Sequence, residues 1–292
     1  MFSYISGKSE ETGYEMIQVA GRPLQQESLA NANIGRMERA IIQLMIDIPE
    51  TLTYPSMKEL LFEVQTRINI MDSAREMSES EAAFTTFEYH RANPAYWSLS
   101  HKGGFQLRRG VSPADAITDI FKNSSQYAFE CATAVVIIFY YGILKSIGKR
   151  SFDMLFQNLY LYSWHTDSDL DLYTTYADYF LPGDVVYFNN PDFHPNASWY
   201  RGENAVVMTD GMFFGHGFGI MTGKEMIDFL NTQRAPGSTT PAYLTSLVTK
   251  ISSNTINRLA NLPANLSAFR KSPRPIVHHN RCSICIIEHQ YY

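Results

Sequence analysis

An uninterrupted apolar segment that follows a glutamate and a cysteine constrains the fold of this chain more than any other feature. The apolar run covers residues 132–144, and together with Glu130 and Cys131 it reads ECATAVVIIFYYGIL. Its four consecutive β-branched residues are compatible with a strand, but its length and the lysines at positions 145 and 149 favour a helix that ends near Gly148. Because the segment is apolar on all sides, we predict a helix that is buried on most of its surface.

Composition excludes several classes of protein. Hydrophobic residues make up 45% of the 292 residues and charged residues 18%, which is too apolar for a disordered chain. The net charge of −5 gives no basic surface for nucleic acid. The apolar run 132–144 is shorter than the ~20 residues that a membrane-spanning helix needs, and the N-terminus lacks the pattern of a signal peptide. We therefore expect a protein made in the cytoplasm, with neither nucleic acid nor membrane as partner.

Helical periodicity comes first along the chain and strand periodicity follows. Apolar residues at three- and four-residue spacing predict helices over 41–48 and 60–70, and Ser112 before Pro113 predicts another helix start. After the apolar segment, strands are expected near 159–165 and 185–190, and a hairpin over 201–220 turns at Asp210-Gly211. A helix is expected near 223–233 and another within 244–262. Helices followed by antiparallel strands predict an α+β fold.

Cys131 is the first candidate for chemistry. It stands at the predicted start of the buried helix, directly after Glu130 and far from Cys282 and Cys285. Unpaired backbone N–H groups and the helix dipole at that position favour a thiolate, which is the nucleophilic form of cysteine. An inert buried cysteine is the commoner outcome for a lone thiol, so both interpretations stay open at this point.

A nucleophilic cysteine needs a base and an orienting group, and two residues of the strand region are candidates. His216, between two glycines, has the side chain that usually partners a catalytic cysteine. Glu203 is the second candidate. Each has a structural alternative, namely a turn histidine bonded to backbone for His216 and a surface carboxylate paired with Arg201 for Glu203. Spacing does not decide between them.

Four sequence blocks resemble the bacterial spore-coat transglutaminases, a family of protein-glutamine γ-glutamyltransferases. The blocks are YAFECATAVVIIFY (127–140), GDVVYFNNPDF (183–193), WYRGEN (199–204) and GHGFGI (215–220). The likeness extends over roughly residues 5–235. It implies a papain-like core of the NlpC/P60 type, with a nucleophile at a helix N-terminus, an antiparallel sheet and additional N-terminal helices. It also implies one catalytic domain over 1–245 and a C-terminal extension over 246–292, formed by one helix and a loose tail.

The resemblance implies a role for each site residue. Cys131 matches the nucleophile, Glu203 matches the family's unusual acidic partner, and Glu130 matches a second glutamate that assists. His216, Asn204 and Trp199 are expected to orient groups or to line the site. A glutamate can act as the base only if burial raises its pKa well above ~4.3.

The implied reaction cross-links proteins of the spore coat. Cys131 forms a thioester with a glutamine side chain, ammonia leaves, and a lysine amine then forms an isopeptide bond. The family needs neither calcium nor an organic cofactor. The expected partners are spore coat proteins that carry reactive Gln and Lys side chains, and the expected location is the spore coat or spore surface.

Two other functions remain as alternatives. A cysteine peptidase or amidase of the NlpC/P60 type would need a histidine at the sulfur, a role open only to His216, and a non-catalytic coat protein would keep the fold without the chemistry. The tail contains Cys282 and Cys285 in a CxxC pair with three histidines nearby. That pair lacks both the usual spacing of a zinc finger and the βαβ context of a redox motif, so we expect no metal there.

Overall fold

The structure, a computed structural model, describes residues 17–32, 34–262 and 275–277. Its helices are α1 (Gln26–Asn31), α2 (Arg36–Asp47), α3 (Met57–Ser78), α4 (Pro113–Lys122), α5 (Cys131–Leu155), α6 (Gly223–Thr232) and α7 (Ser253–Ala260). Its strands are β1 (Ile17–Val19), β2 (Arg22–Pro23), β3 (Leu52–Tyr54), β4 (Ala83–Phe84), β5 (Trp97–Leu99), β6 (Phe105–Leu107), β7 (Ala128–Phe129), β8 (Tyr160–Leu161), β9 (His165–Asp167), β10 (Leu172–Tyr176), β11 (Val185–Asn189), β12 (Gly202–Val207), β13 (Met212–Gly215), β14 (Gly219–Thr222), β15 (Tyr243–Ile251) and β16 (Pro275–Val277).

The buried helix α5 is the centre of the helical layer. Gly148 interrupts it with φ 75° and ψ 163°, a conformation that is almost restricted to glycine. The predicted end near Gly148 is therefore confirmed, and a further short helical stretch continues to Leu155. Helix α3 packs against α5, where a Cβ on Gly142 would lie only 2.6 Å from Cγ1 of Ile70. A larger side chain at Gly142 would push the two helices apart.

Six antiparallel strands form the main sheet, in the order β10-β15-β11-β12-β13-β14. Side chains of the central strands alternate between two cores, as the period of a strand requires. Val185 and Val206 join the large core that the helices form, whereas Val186 and Ala205 pack with Met226 of α6. Helix α5 also packs against β12, and this contact brings the start of α5 to the strand that carries two candidate site residues.

The predicted helices over 41–48, 60–70 and 223–233, the predicted helix start at Ser112 and the predicted hairpin are confirmed. Helices α2, α3 and α6 cover the segments predicted to be helical, and Ser112 caps α4 by accepting a hydrogen bond from the Asp115 N–H. The hairpin of β12 and β13 turns at Asp210 and Gly211, whose φ angles are 58° and 72°. The α+β prediction with an antiparallel sheet is therefore confirmed.

The end of the described chain differs from the prediction. The helix expected within 244–262 is wrong in its first half, because residues 243–251 form β15, which pairs with both β10 and β11. The helical part is α7, at Ser253–Ala260. The domain boundary expected at residue 245 falls inside β15, so the sheet continues beyond that position. The strand expected at 159–165 consists of two short strands, β8 and β9, separated by Ser163 at φ 49°.

Helix α5 is long and apolar enough to cross a membrane by length and composition alone. Its mean hydropathy reaches 1.7, and 67% of the apolar window is buried inside the protein. A core helix of a globular domain has the same properties, because it is surrounded by apolar side chains instead of lipid. The prediction of a helix buried on most sides is confirmed.

Candidate active site

The thiol of Cys131 lies at the first residue of α5, beside strand β12. The side-chain amide of Asn204 donates a hydrogen bond to its sulfur across 3.4 Å, and the backbone N–H of Asn204 also points at the sulfur. Cys131 is partly exposed and is the only free cysteine among the residues that the structure describes. The packing of α5 on β12 therefore places two donors next to the sulfur.

Glu130 caps the helix that Cys131 begins. Its carboxylate accepts the Thr133 N–H at 2.8 Å and the Thr133 hydroxyl at 2.5 Å, and the Ser163 N–H in turn donates to the Thr133 hydroxyl oxygen at 2.8 Å. A carboxylate is a preferred N-cap, since it satisfies backbone donors that have no partner in the first turn. Glu130 thus satisfies the Thr133 N–H in the first turn of the helix, and the Asn204 side-chain amide donates to the sulfur.

Glu203 lies next to Cys131 but behind it, away from solvent. Its side chain is 1% exposed, and one of its carboxyl oxygens is buried without a hydrogen-bond partner. The Cys131 thiol and the backbone N–H of His216 are the polar groups close to this carboxyl. Gly215 on the neighbouring strand makes room for it, because a Cβ there would lie 2.9 Å from Cγ of Glu203. The sheet thus holds a buried acid against the thiol.

Burial raises the proton affinity of all three groups. It raises the pKa of the Cys131 thiol well above its ordinary value, and the charges of Glu203 and Glu130 raise it further. Burial likewise raises the pKa of the Glu203 carboxyl, with the charge of Glu130 adding to the effect. The pKa of Glu130 rises to about 7, again through burial, although hydrogen bonds from Thr133 oppose the shift.

Burial meets the condition set for Glu203, since it raises the pKa of that carboxyl. At Cys131, desolvation and the charges of two carboxyl groups raise the pKa of the thiol, and they oppose the helix dipole, which favours the thiolate. The thiolate expected at the helix start stays a prediction.

The ring of His216 is turned away from the cysteine. Its Nε2 lies 3.3 Å from the carbonyl oxygen of Ala83, and the ring stacks on Phe129 with centroids 4.8 Å apart. Burial lowers the pKa of His216 to about 4, so the ring is neutral at physiological pH. The residue meets Glu203 through its backbone N–H only, which matches the backbone-bonded alternative stated above for this histidine.

A cleft of about 200 Å³ leads from solvent to the sulfur. Its walls combine aromatic rings with hydroxyl groups and one cation, Arg201; its lining residues are Phe84, Thr85, Thr86, Phe87, Glu130, Cys131, Ala132, Ser163, Tyr187, Ser198, Trp199, Arg201, Gly202 and Asn204. Glu203 and His216 do not line it. Trp199 forms part of its rim and is 44% exposed, as expected for a wall residue.

Sequence reasoning missed several parts of this site. Thr133 donates to the Glu130 carboxylate and Ser163 donates to Thr133. Phe84, Phe87 and Tyr187 line the cleft. Only Thr133 carried a usable signal, since an acidic N-cap normally bonds to the residue three positions later. The aromatic residues come from distant segments that only the fold brings together.

Within residues 17–32 and 34–262, no group of three or more His, Cys, Asp or Glu side chains is arranged to hold a metal ion. The CxxC pair of Cys282 and Cys285 lies outside the described residues.

A thiol at a helix start, a buried acid behind it and a cleft in front of it define a thiol-dependent acyl-transfer enzyme. The family model described as TGL, protein-glutamine gamma-glutamyltransferase, matches residues 16–260. The protein-glutamine gamma-glutamyltransferase of Halalkalibacterium halodurans is 56% identical over 280 residues, which cover 96% of this chain and 98% of the relative. That of Bacillus subtilis is 39% identical over 236 residues, or 81% of this chain and 96% of the relative.

A solved structure supports the same assignment. The transglutaminase from Geobacillus stearothermophilus without its C-terminal extension has a TM-score of 0.68 and 44% sequence identity, and the match covers 72% of this chain and 100% of the solved chain. The chain belongs to the protein-glutamine γ-glutamyltransferase family and is a transferase. The resemblance of the four sequence blocks to protein-glutamine γ-glutamyltransferases is confirmed.

Proposed function

We propose that this enzyme cross-links spore coat proteins through a thioester on Cys131, with Glu203 moving the protons. One observation carries the proposal: Cys131 at the start of α5 and the buried Glu203 of β12 are close neighbours, and the ring of His216 bonds to the Ala83 carbonyl instead of the sulfur. The assignment of Glu203 as acid–base partner and of Glu130 as assisting acid rests on this geometry together with the sequence resemblance.

In the first half-reaction, the sulfur attacks the γ-carboxamide carbon of a glutamine side chain while its proton passes to the Glu203 carboxylate. The carbonyl oxygen becomes an oxyanion, and the Asn204 amide, which already points at the sulfur, is the donor placed to stabilise it. The C–N bond then breaks, and Glu203 gives its proton to the leaving nitrogen. Ammonia departs and a γ-glutamyl thioester remains.

In the second half-reaction, a neutral lysine amine attacks the thioester carbonyl. Glu203, now a carboxylate, accepts a proton from the attacking nitrogen, and the C–S bond breaks to leave an isopeptide bond. The released sulfur recovers a proton from Glu203, so the site returns to its starting state. A carboxyl with a raised pKa suits both directions of transfer, because an efficient acid–base group has a pKa near the working pH.

Glu130 is proposed to assist because its carboxylate lines the cleft beside the sulfur and has a pKa of about 7. Each proton transfer is assigned to a carboxyl of the chain, and we therefore propose that the reaction proceeds without calcium or an organic cofactor. The start of α5 packed on an antiparallel sheet also supports placing the core with the papain-like enzymes of the NlpC/P60 type.

The proposal of coat proteins as substrates, and of the spore coat or surface as the location, rests on the resemblance of the four sequence blocks. The aromatic cleft fits this role, since a cleft with little water protects a thioester from hydrolysis. The net charge of −5 also favours the approach of lysine-rich proteins.

The test is incorporation of a labelled primary amine into a glutamine-bearing protein, with a calcium chelator present. We expect Cys131→Ala to abolish incorporation and Glu203→Gln to lower its rate by ~10²–10⁴-fold, the usual contribution of general acid–base catalysis. Glu76→Gln is the matched control, because that carboxylate is exposed on α3 and pairs with Lys145. Near-normal activity of Glu203→Gln would contradict the assignment.

Two further measurements test the finer claims. Ammonia release without amine incorporation would indicate a hydrolase instead of a cross-linking enzyme. Coat proteins extracted from spores should form high-mass, γ-glutamyl-lysine-linked products with the unmodified enzyme and none with Cys131→Ala.

A further inference from the structure

A chain of aromatic rings runs from the cleft across the adjacent surface. Trp199 lies 5.9 Å from Tyr200, Tyr200 lies 5.6 Å from Phe229, and Phe229 lies 4.9 Å from Phe218, measured between ring centroids. We call these four residues the aromatic rim. They come from three separate segments: the 3₁₀ turn Pro195–Tyr200, the β13–β14 connection and helix α6.

The aromatic rim is not a closed core. Trp199 is 44% exposed and Phe229 is 39% exposed, and Ile220 nearby in sequence on β14 is 38% exposed. Large apolar side chains left open to water beside a functional cleft are typical of binding surfaces. Trp199 also lines the cleft. A substrate protein that presents a side chain to Cys131 along the Trp199 wall of the cleft therefore contacts the aromatic rim.

We propose that the aromatic rim binds apolar side chains next to the reactive glutamine of the acyl-donor protein, and so selects which glutamines react. This inference rests on the proposed function, since it needs a protein donor at Cys131. The successive ring steps are each shorter than 6 Å, and an extended chain advances about 3.4 Å per residue. The rim from Trp199 to Phe218 therefore has the length of about five residues of an extended chain.

The charge on this wall favours the donor over the lysine acceptor. Arg201 follows the rim residues directly in sequence and lines the same cleft. Its guanidinium lies 5.4 Å from the ring centre of Phe193, and its Nε donates to the Ser198 carbonyl. A lysine ammonium that approached along this wall would meet a like charge, whereas a glutamine side chain is neutral.

The experiment compares donors of different length. One donor is N-acetyl-glutaminyl-glycine amide, which is too short to reach Phe229. The others are twelve-residue peptides that each contain a single glutamine. In one set leucine or phenylalanine flanks the glutamine on its N-terminal or its C-terminal side, and in the other set serine occupies those positions. The variants are Phe229→Gln and Phe229→Leu, and Tyr176→Gln is the control, because Tyr176 is 76% exposed on β10 at the other edge of the sheet.

We expect the unmodified enzyme to prefer the apolar-flanked peptides on at least one side. Phe229→Gln should lower kcat/KM for them about tenfold, through KM, and leave the short donor unchanged within twofold; Phe229→Leu should recover most of the loss. Equal rates for apolar and serine peptides, or a loss that appears in the KM of a lysine peptide, would overturn the proposal. Turnover of the short donor reports separately on the proposed function.

Discussion

Three groups of raised proton affinity meet at the start of α5, and their proximity determines what the site can do. Cys131 lies against the buried Glu130 and Glu203, and the charges of these two carboxyl groups oppose ionisation of the thiol. Such groups titrate as a set, so the site keeps at least one proton at a pH where isolated carboxyls would have lost theirs. That retained proton is what the departure of ammonia requires, and a fully ionised site could not supply it.

Glu130 makes the first prediction, which concerns stability. Its pKa is about 7 in the folded protein and about 4.3 in an unfolded chain. Between these values the folded state binds the extra proton, so its stability falls as the pH rises. From pH 4.5 to 7.5, the free energy of unfolding of the unmodified protein should drop by about 3 kcal/mol relative to Glu130→Gln.

Urea denaturation of both proteins at several pH values measures this difference. The comparison uses the change in the free energy of unfolding with pH. It therefore removes the cost of replacing the helix cap, because that cost is the same at every pH. Glu76→Gln, an exposed carboxylate of α3, supplies the reference. Parallel stability curves for the unmodified protein and Glu130→Gln would show that Glu130 is ionised at all these pH values, contrary to the burial argument.

Sequence patterns predicted the helices and turns that depend on residues close together in the chain. Helix α5 and the β12–β13 hairpin followed from an apolar run, a glycine stop and an Asp-Gly turn, each of which acts within a few residues. Strand β15 was not predicted from the sequence, because its apolar residues have helical spacing. These residues are Leu244, Leu247, Val248 and Ile251. Pairing with β10 and β11 overrides that spacing, and no local signal contains the position of those partners.

The same distinction between local sequence signals and tertiary packing applies to the active site. The four sequence blocks predicted Cys131, Glu130, Glu203 and Asn204, and the structure brings these side chains together. The orientation of His216 was not predictable, since its ring is turned toward Ala83 and Phe129 by tertiary packing. Ser163 lies in a bend between β8 and β9, and only the folded chain places its N–H beside Glu130.

The break in α5 yields the second prediction. Gly148 has φ 75° and ψ 163°, yet a Cβ there would meet nothing within 4 Å. The cost of Gly148→Ala is therefore conformational alone, and we expect a loss of about 1–3 kcal/mol in stability. Amine incorporation should stay unchanged, because the other end of the helix carries Cys131. A denaturation curve and an activity assay on one preparation decide both points, and an unaltered stability would contradict the strained conformation.

Across the whole molecule, a buried ionic group joins the helical layer to the sheet. Arg67 of α3 pairs with Glu63 at 2.9 Å and with Asp184 at 2.9 Å, just before β11, and its guanidinium also donates to the Pro182 carbonyl. Tyr54 completes the group by donating to Glu63 at 2.8 Å. Since β11 pairs directly with β12, this group anchors the part of the sheet that carries Glu203 and Asn204.

The third prediction follows from the charge balance of this group. Arg67→Met keeps much of the side-chain volume but leaves two buried carboxylates without a cation, so we expect stability to fall by about 3–5 kcal/mol. Lys224→Met is the matched control: it removes an exposed pair with Asp228 on α6 and should leave the urea midpoint unchanged. If Arg67→Met is as stable as the unmodified protein, packing alone holds the helices on the sheet. The ionic group would then contribute to the register of β11 and not to the free energy of folding.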